Sequence, residues 1–410
     1  MELLNKPVLQ INNIKDKPVI SIKISDKPPP PLFKSGLIDK LNKYKNMIDN
    51  VHNIKIWDYC KKLSNNYELL HHYIKNKSTN LGIANYDPIS RSFFKFWEII
   101  KDFNLIDNNK ENITYGALAE GPGGFIEAFN FYRRKYKEIR IEDQVNCITL
   151  KPYNNEIPGW KNSNRLFKEC SNYNISWGVD ETGSLYNIEN IKYFAKLFRN
   201  NKADLVSADG GFDFSSNYSN QEISATRLIL CEATTGLSIL AKNGSMVLKF
   251  YDIFQKATVD IIYMLSFYFS NCYIVKPYTS RTANSEKYLV CKGFKGIDEE
   301  QLDKLYNIIE EYEIIKNQNK YLDRILSNTI PQYFLNLIFS QNIYHISQQI
   351  KCIVTALSYI KLRLNNNEVN EIKNEQTIYS LSWCKKYDFP VNARCRYLQK
   401  TNQYNYIPNY

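Results

Sequence analysis

The chain has 410 residues with 53 Lys and Arg against 42 Asp and Glu, a formal net charge of +11. That is long enough for one large core with additions, and basic enough to favour polyanionic partners. Nine cysteines lie far apart without a C-x-x-C pair, and His52, His71, His72 and His345 have no ligand spacing, so a reducing compartment and no metal are expected. The start, "MELLNKPVLQ", lacks a signal-peptide core, and the longest apolar run, "IIYMLSFYF" over 261–269, is too short to span a bilayer. A soluble, intracellular protein without membrane attachment is expected, the cytoplasm being preferred to the nucleus.

Residues 1–34, rich in Lys, Asp and Pro and containing "KPPPPL", read as a flexible extended or polyproline II arm. From 35 to 110 apolar residues recur at helical spacing in "LIDKLNKYKNMI" and "SFFKFWEII", a helical lead-in. The runs "TYGALA", "VNCITL", "YNISWG", "ADLVSA" and "SMVLKF" then alternate with helical stretches at 124–137, 187–199, 221–242 and 256–268. Such alternation predicts an α/β fold, a mostly parallel, doubly wound sheet covered on both faces. "CYIVKP" and "KYLVCKGF" follow each other without a helix, which predicts an antiparallel hairpin at one edge. Residues 297–410 carry charged amphipathic patterns and read as a helical C-terminal region, packed on the sheet or forming a small unit.

"LAEGPGGFIEA" (118–128) joins the first of these strands to its helix. In an open α/β sheet this turn closely approaches a ligand, and its glycines let the backbone come near. A dinucleotide fingerprint starting at Gly121 and Gly123 would need a third glycine where Ile126 stands, so a NAD site is disfavoured. Glu120 beside the glycines would repel a diphosphate but suits the cationic amino-acid portion or ribose hydroxyls of S-adenosylmethionine. A plain tight turn is the structural alternative.

Three polar residues stand at strand ends: Asp209 in "ADLVSADGG", Lys249 in "SMVLKFYD" and Glu286 in "ANSEKYLV". Lys95 interrupts the aromatic helix "SRSFFKFWEII". Singly each is a weak signal, since a lysine after an apolar strand is mostly a solvated end residue and an acidic residue there is often a helix cap.

In this order "SRSFFKFWEI", "AEGPGGF", "ADGGFD", "LKFYD" and "ANSEKYLVC" resemble the FtsJ-like ribose 2'-O-methyltransferases, over roughly residues 88–296. Within that family "TLKPY" (149–153) and the Glu120–Phe125 loop are similar to the Adrift-type mRNA cap 2'-O-methyltransferases, including versions from large DNA viruses. The resemblance implies a Rossmann-like S-adenosylmethionine-dependent methyltransferase fold acting on RNA, capped mRNA first among its substrates, with capping-machinery subunits as further partners. It implies a catalytic tetrad of Lys95, Asp209, Lys249 and Glu286. It implies a cofactor site at Glu120, Gly121, Pro122, Gly123, Gly124, Phe125, Asp180, Ser184, Leu185 and Asp209, and RNA contacts at Arg281, Asn284 and Ser285. The chain departs from the family at "TGSL" (182–185), where Ser184 stands in place of an acid expected to face the adenine amino group, with Asp180 as a nearby substitute.

Methyl transfer to a ribose hydroxyl requires aligned oxygen, carbon and sulfur and an acceptor for the hydroxyl proton. Lys249 is assigned that proton. Burial and the second cation Lys95 lower its pKa, whereas Asp209 and Glu286 oppose the change. Two other functions stay open on sequence: 2'-O-methylation of ribosomal or other structured RNA, and a non-catalytic RNA-binding or capping-complex subunit.

Overall fold

The computed structural model describes residues 8–12, 14–51, 53–71, 82–136, 142–154, 157–161, 163–169, 172–211 and 221–399. His52, His72, Cys170 and residues 212 and 213 of the "ADGGFD" motif lie outside them.

Strands β1 (Leu9–Asn12) and β2 (Ile20–Ser25) come first, followed by helices α1 (Gly36–Asp49), α2 (Ile54–Leu63) and α3 (Ser92–Phe103). The alternating part holds β3 (Thr114–Leu118), α4 (Gly124–Tyr136), β4 (Gln144–Ile148), α5 (Asn164–Glu169), β5 (Tyr173–Ser176), α6 (Ile188–Lys196), β6 (Ala203–Ala208), α7 (Gln221–Ile239), β7 (Leu240–Phe250), α8 (Lys256–Tyr268), β8 (Phe269–Val275) and β9 (Lys287–Phe294). The chain continues through α9 (Glu299–Asn317), β10 (Tyr321–Leu326), α10 (Gln332–Leu362), α11 (Asn366–Lys386) and α12 (Arg396–Gln399).

Eight strands form one sheet in the order β1-β8-β9-β7-β6-β3-β4-β5. The five from β7 to β5 are parallel, whereas β9, β8 and β1 run antiparallel to their neighbours. The mostly parallel, doubly wound expectation is borne out. Alternation along each strand sorts side chains to two faces: Met246 and Leu248 enter one core with α6, α7 and α8, while Val247 enters the other with α3 and α4. All five residues of β3 are buried, as expected for a central parallel strand covered on both faces.

The chain runs outward from β3 in both directions, to β4 and β5 on one side and β6 and β7 on the other. The carboxyl ends of β3 and β6 therefore flank the switch point, the ordinary place for a ligand in such sheets. Because β9 is antiparallel to β7, with Phe250 opposite Lys287, the start of β9 lies at this same end.

The arm expected at residues 1–34 is corrected where the structure describes it, at 8–12 and 14–34. β1 pairs with β8 through Ile11 and Cys272, and β2 pairs with β10. Leu9 and Ile11 supply one apolar face, and the exposed edge of β8 supplies unpaired backbone groups that a short extended segment satisfies. The Lys and Pro content that suggested a free arm is typical of an edge strand. The β8–β9 hairpin therefore lies one strand in from the edge, because β1 covers it.

Among the described residues the C-terminal region is helical except for β10 and its connections. There the Asp260 carboxylate of α8 takes two hydrogen bonds from Arg324, at 3.1 and 2.7 Å, and two more from the backbone of Ile325 and Leu326. Helix α11 packs on the lead-in. Gln376 donates to the carbonyls of Lys62, Leu63 and Asn65, Trp383 meets Phe94 edge-on, and Trp97 Nε1 donates to the Tyr387 carbonyl at 3.1 Å. No helix among the described residues is long and apolar enough to cross a membrane.

Trp383 is fully buried in the core that also holds Phe93, Phe94 and Trp97. Trp383→Ala should lower the stability of the single main unfolding transition by about 3–5 kcal/mol, read by chemical denaturation; an unchanged main transition would mean that α11 is a separate unit.

Candidate active site

The glycine loop leaves β3 at Leu118 and enters α4 at Gly124. Gly123 holds φ at 104°, a left-handed value open to glycine. A Cβ on Gly124 would collide with the Ser90 and Ser92 hydroxyls. The Gly121–Pro122 peptide is cis. Phe125 is buried and stacks on Phe96 with ring centroids 4.4 Å apart. It therefore fastens α4 to the helix that carries Lys95, and its side chain does not line the loop.

Glu120 differs from its expected role. Its carboxyl turns into the sheet, accepting from Ser207 Oγ and, at 3.3 Å, from Tyr115. Burial, reinforced by Asp209 and Glu232, pushes its pKa well above the usual carboxylate range, and its carboxyl lies under the loop rather than in the ligand space.

The second expected cofactor segment is a closed turn. Asp180 accepts from Thr182, Asn187 and Asn190 at 2.7–2.9 Å. Slight burial raises its pKa, but these donors outweigh it and hold the carboxyl well below the usual range. Ser184 Oγ accepts from the Tyr186 amide at 3.3 Å, and Leu185 is buried. Asp180 thus organises the turn and Leu185 anchors it. The turn packs on "TLKPY", with Lys151 N donating to the Thr182 carbonyl at 2.7 Å. Leu150, Tyr153 and Val179 expose apolar surface on these two adjoining segments. Sequence reasoning singled out "TLKPY" as a segment but gave Leu150, Tyr153 and Val179 no site role, because exposure is not written in residue type.

The four tetrad residues meet. Lys95 Nζ is 2.8 Å from the Glu286 carboxylate. Lys249 Nζ is 3.4 Å from Asp209 Oδ1, 3.3 Å from the Asp209 carbonyl and 3.8 Å from Glu286 Oε2. Two further groups join them: Tyr288 donates to Asp209 Oδ1 at 2.8 Å, and Ser280 to Glu286 Oε1 at 2.7 Å. Burial raises the Glu286 pKa, yet Lys95, Lys249 and Lys276 overcome it and hold the carboxyl well below the usual range. For Lys249 burial lowers the pKa, but Asp209, Tyr251 and Glu286 outweigh it and keep the ammonium well above the ordinary lysine value. The opposing carboxylates win in this arrangement.

The expected RNA contacts separate. Arg281 is held by Glu68 through two hydrogen bonds at 3.0 and 2.8 Å, and Ser285 Oγ donates to Gln221 at 2.7 Å; Asn284 is exposed. Arg281 and Arg91 line a cavity of about 1410 Å³ together with Lys62, Arg134, Lys373 and Arg396. Glu68, Asp87 and Glu127 line it too, so the concave surface is mixed with an excess of basic groups, which suits a polyanion. Among the described residues no group of three or more His, Cys, Asp or Glu is placed to hold a metal.

A sheet switch point, a glycine loop after the first parallel strand and a Lys-Asp-Lys-Glu cluster beside it are the layout that the resemblance implied for a Rossmann-like, S-adenosylmethionine-dependent methyltransferase. The sequence profile of the FtsJ-like methyltransferases matches residues 88–294, and the chain belongs to that family. It is 27% identical over 349 residues to a cap-specific mRNA (nucleoside-2'-O-)-methyltransferase 1 of Dictyostelium discoideum, covering 82% of this chain and 45% of that protein. The Homo sapiens protein of the same name is 29% identical over 280 residues, covering 66% of this chain and 32% of its own length. A cap-specific mRNA (nucleoside-2'-O-)-methyltransferase 2 of Mus musculus is 30% identical over 271 residues, with 63% and 34% covered. The chain thus spans less than half the length of these relatives. Among solved structures a putative ribosomal RNA methyltransferase of Plasmodium falciparum is similar at 17% identity and a TM-score of 0.36, covering 51% of this chain and 99% of that one.

The residues present fit the family's cofactor. A Cβ on Gly211 would lie 3.0 Å from Lys249 Nζ, so glycine keeps the space beside the tetrad open. The Asp209 carboxylate beside Lys249 gives that space an acidic group suited to a sulfonium.

Glu232 is buried, with Oε1 accepting from Gly210 N at 3.1 Å and Oε2 without a partner. Burial, with help from Asp209, pushes its pKa up to about 8. A carboxyl raised on folding contributes stability that is complete below its unfolded pKa and is lost as pH rises through the folded one. Glu232→Gln should therefore match the wild type near pH 4.5 and gain on it progressively toward pH 8, by roughly a few kcal/mol. Parallel melting curves across that window check this; a constant difference would refute it.

Proposed function

We propose that this protein transfers a methyl group from S-adenosylmethionine to a ribose 2'-hydroxyl of RNA, at the cap-proximal nucleotides of capped mRNA. The observation that carries the reading is the convergence of Lys95, Asp209, Lys249 and Glu286 at the carboxyl end of the sheet beside the glycine loop. The names of the similar proteins support the cap, and the basic cavity supports a polyanionic substrate.

When bound, the cofactor supplies an electrophilic methyl carbon on a positively charged sulfur. The chain supplies the rest. The glycine loop and the turn at 180–185 would hold the donor, with Leu150 and Val179 offering apolar surface to a purine. Asp209 would supply the negative charge for its cationic part. Lys249 orients the 2'-hydroxyl and takes its proton. As an ammonium it has no lone pair, so it must first give up a proton to water. It does so more readily once Asp209 is neutralised by a positive partner, because Asp209 is the foremost of the groups holding that proton in place. Lys95 and Glu286 fix the direction of Lys249 by charge-assisted contacts. Helices α10 and α11 buttress the lead-in that carries Lys95.

Lys249→Ala should lower kcat by about 10²–10⁴-fold while binding of S-adenosylhomocysteine persists; near-normal turnover would remove Lys249 from its role. In the wild type kcat should rise with pH along an acid limb that reports Lys249. Mass spectrometry of short RNAs after incubation with S-adenosylmethionine, with the modified nucleotide located, tests the substrate. Methyl groups are expected on the first transcribed nucleotides of capped RNA; equal methylation of uncapped or structured RNA would overturn the cap assignment.

A further inference from the structure

Glu286 touches more than the tetrad. It ends the loop 276–286, which joins β8 to β9. Helix α3 holds the front of this loop: Glu98, one turn after Lys95, accepts from Tyr278 N at 2.7 Å, Thr279 N at 2.8 Å and Thr279 Oγ1 at 2.6 Å. Lys276 holds it from behind. Its Nζ donates to the carbonyls of Asn284 and Glu286, both at 2.7 Å, and to Ser280 Oγ at 3.2 Å.

An ammonium has three protons and no lone pair, so these three acceptors saturate it. The consequence falls on Ser280, which is buried. Because its oxygen accepts from Lys276, its single proton is free to go to Glu286 Oε1, where the structure places it at 2.7 Å. Glu286 is thereby gripped twice from one residue, by its own carbonyl and through Ser280.

We propose that Lys276 is a positioning residue for methyl transfer, holding the Glu286 carboxylate through Ser280 and through the Glu286 backbone where Lys95 and Lys249 meet. The assignment rests on the functional reading above. The link is sensitive to charge. A neutral Lys276 amine keeps donors for both carbonyls but offers its lone pair to the Ser280 proton, which then leaves Glu286. Burial, with Lys287 and Lys95, pushes Lys276 down to about 7 against the pull of Glu286. The charged and titratable groups around it are Glu286 and Lys287 at the start of β9, Lys95 on α3, and His345, Lys351 and Cys352 on α10. Glu375 of α11 and Tyr67 line the same cavity of about 330 Å³.

The test uses the full chain with S-adenosylmethionine and a capped oligonucleotide. Lys276→Ala should lower kcat about tenfold or more, with KM for RNA and affinity for S-adenosylhomocysteine within about twofold of wild type. Its acid limb should move to higher pH by on the order of one unit, because a less firmly held Glu286 pulls harder on the Lys249 proton. Added ethylamine, entering by the cavity, should restore part of kcat. Should Lys276→Ala not fold, Ser280→Ala removes one hydroxyl and should lower kcat in the same direction by less. A loss confined to KM or cofactor affinity, or an unchanged kcat in Ser280→Ala, would overturn the assignment. Carboxyl 13C NMR of Glu286 in the RNA-free protein separates this from the functional reading. An inflection near pH 7 that disappears in Lys276→Ala supports the link even if no RNA is methylated, in which case the functional reading alone fails. No inflection in the wild type overturns the link.

Discussion

A carboxylate taken out of water must be matched by cations and hydrogen-bond donors, and the candidate site is organised around one such group. Glu286 is 8% exposed and is approached by Lys95, Lys249 and Ser280. An unpaired charge there would be strongly destabilising. The four groups come from α3, β7 and the loop that leads into β9, so satisfying this one charge requires β9 beside β7 and α3 docked over the strand ends. The antiparallel insertion of β9 brings residues so distant in sequence to one end of the sheet.

Docking of α3 is a packing problem solved by aromatic rings. Phe96 lies on Phe125, Trp97 packs against Phe389, and Phe94 meets Trp383. Lys95 reaches Glu286 because its neighbours on the helix are buried on both sides. The C-terminal helices belong to the same arrangement: α11 closes the aromatic layer, and β10 is held by Asp260 of α8. The site therefore draws its rigidity from both ends of the chain.

Several side chains with the right residue type for binding turn away from the ligand space. Glu120 goes under the loop to Ser207, Arg281 goes to Glu68, and Asp180 is consumed by its own turn. In each case a nearby donor or acceptor, distant in sequence or hidden in a turn, offers a shorter route to satisfaction than solvent or ligand does. The groups that do share the tetrad's hydrogen bonds, Tyr288 and Ser280, carry no sequence signal of their own, since tyrosines and serines are common throughout the chain.

Alternating apolar runs and helical stretches were enough to specify a doubly wound sheet, because strand and helix periods are local properties of the chain. The order of Lys95, Asp209, Lys249 and Glu286 with the glycine loop likewise made the family legible, since each sits at a fixed place relative to a strand end or helix. The alternation in "ISIKIS" over 20–25 is a local strand signal but names no partner. Tertiary structure alone decided where residues 9–12 and 20–25 pair, because their partners β8 and β10 are remote in sequence. It alone decided the charge balance at Lys249 and Glu120, because desolvation and neighbouring charges are set by atoms that meet only in the folded chain.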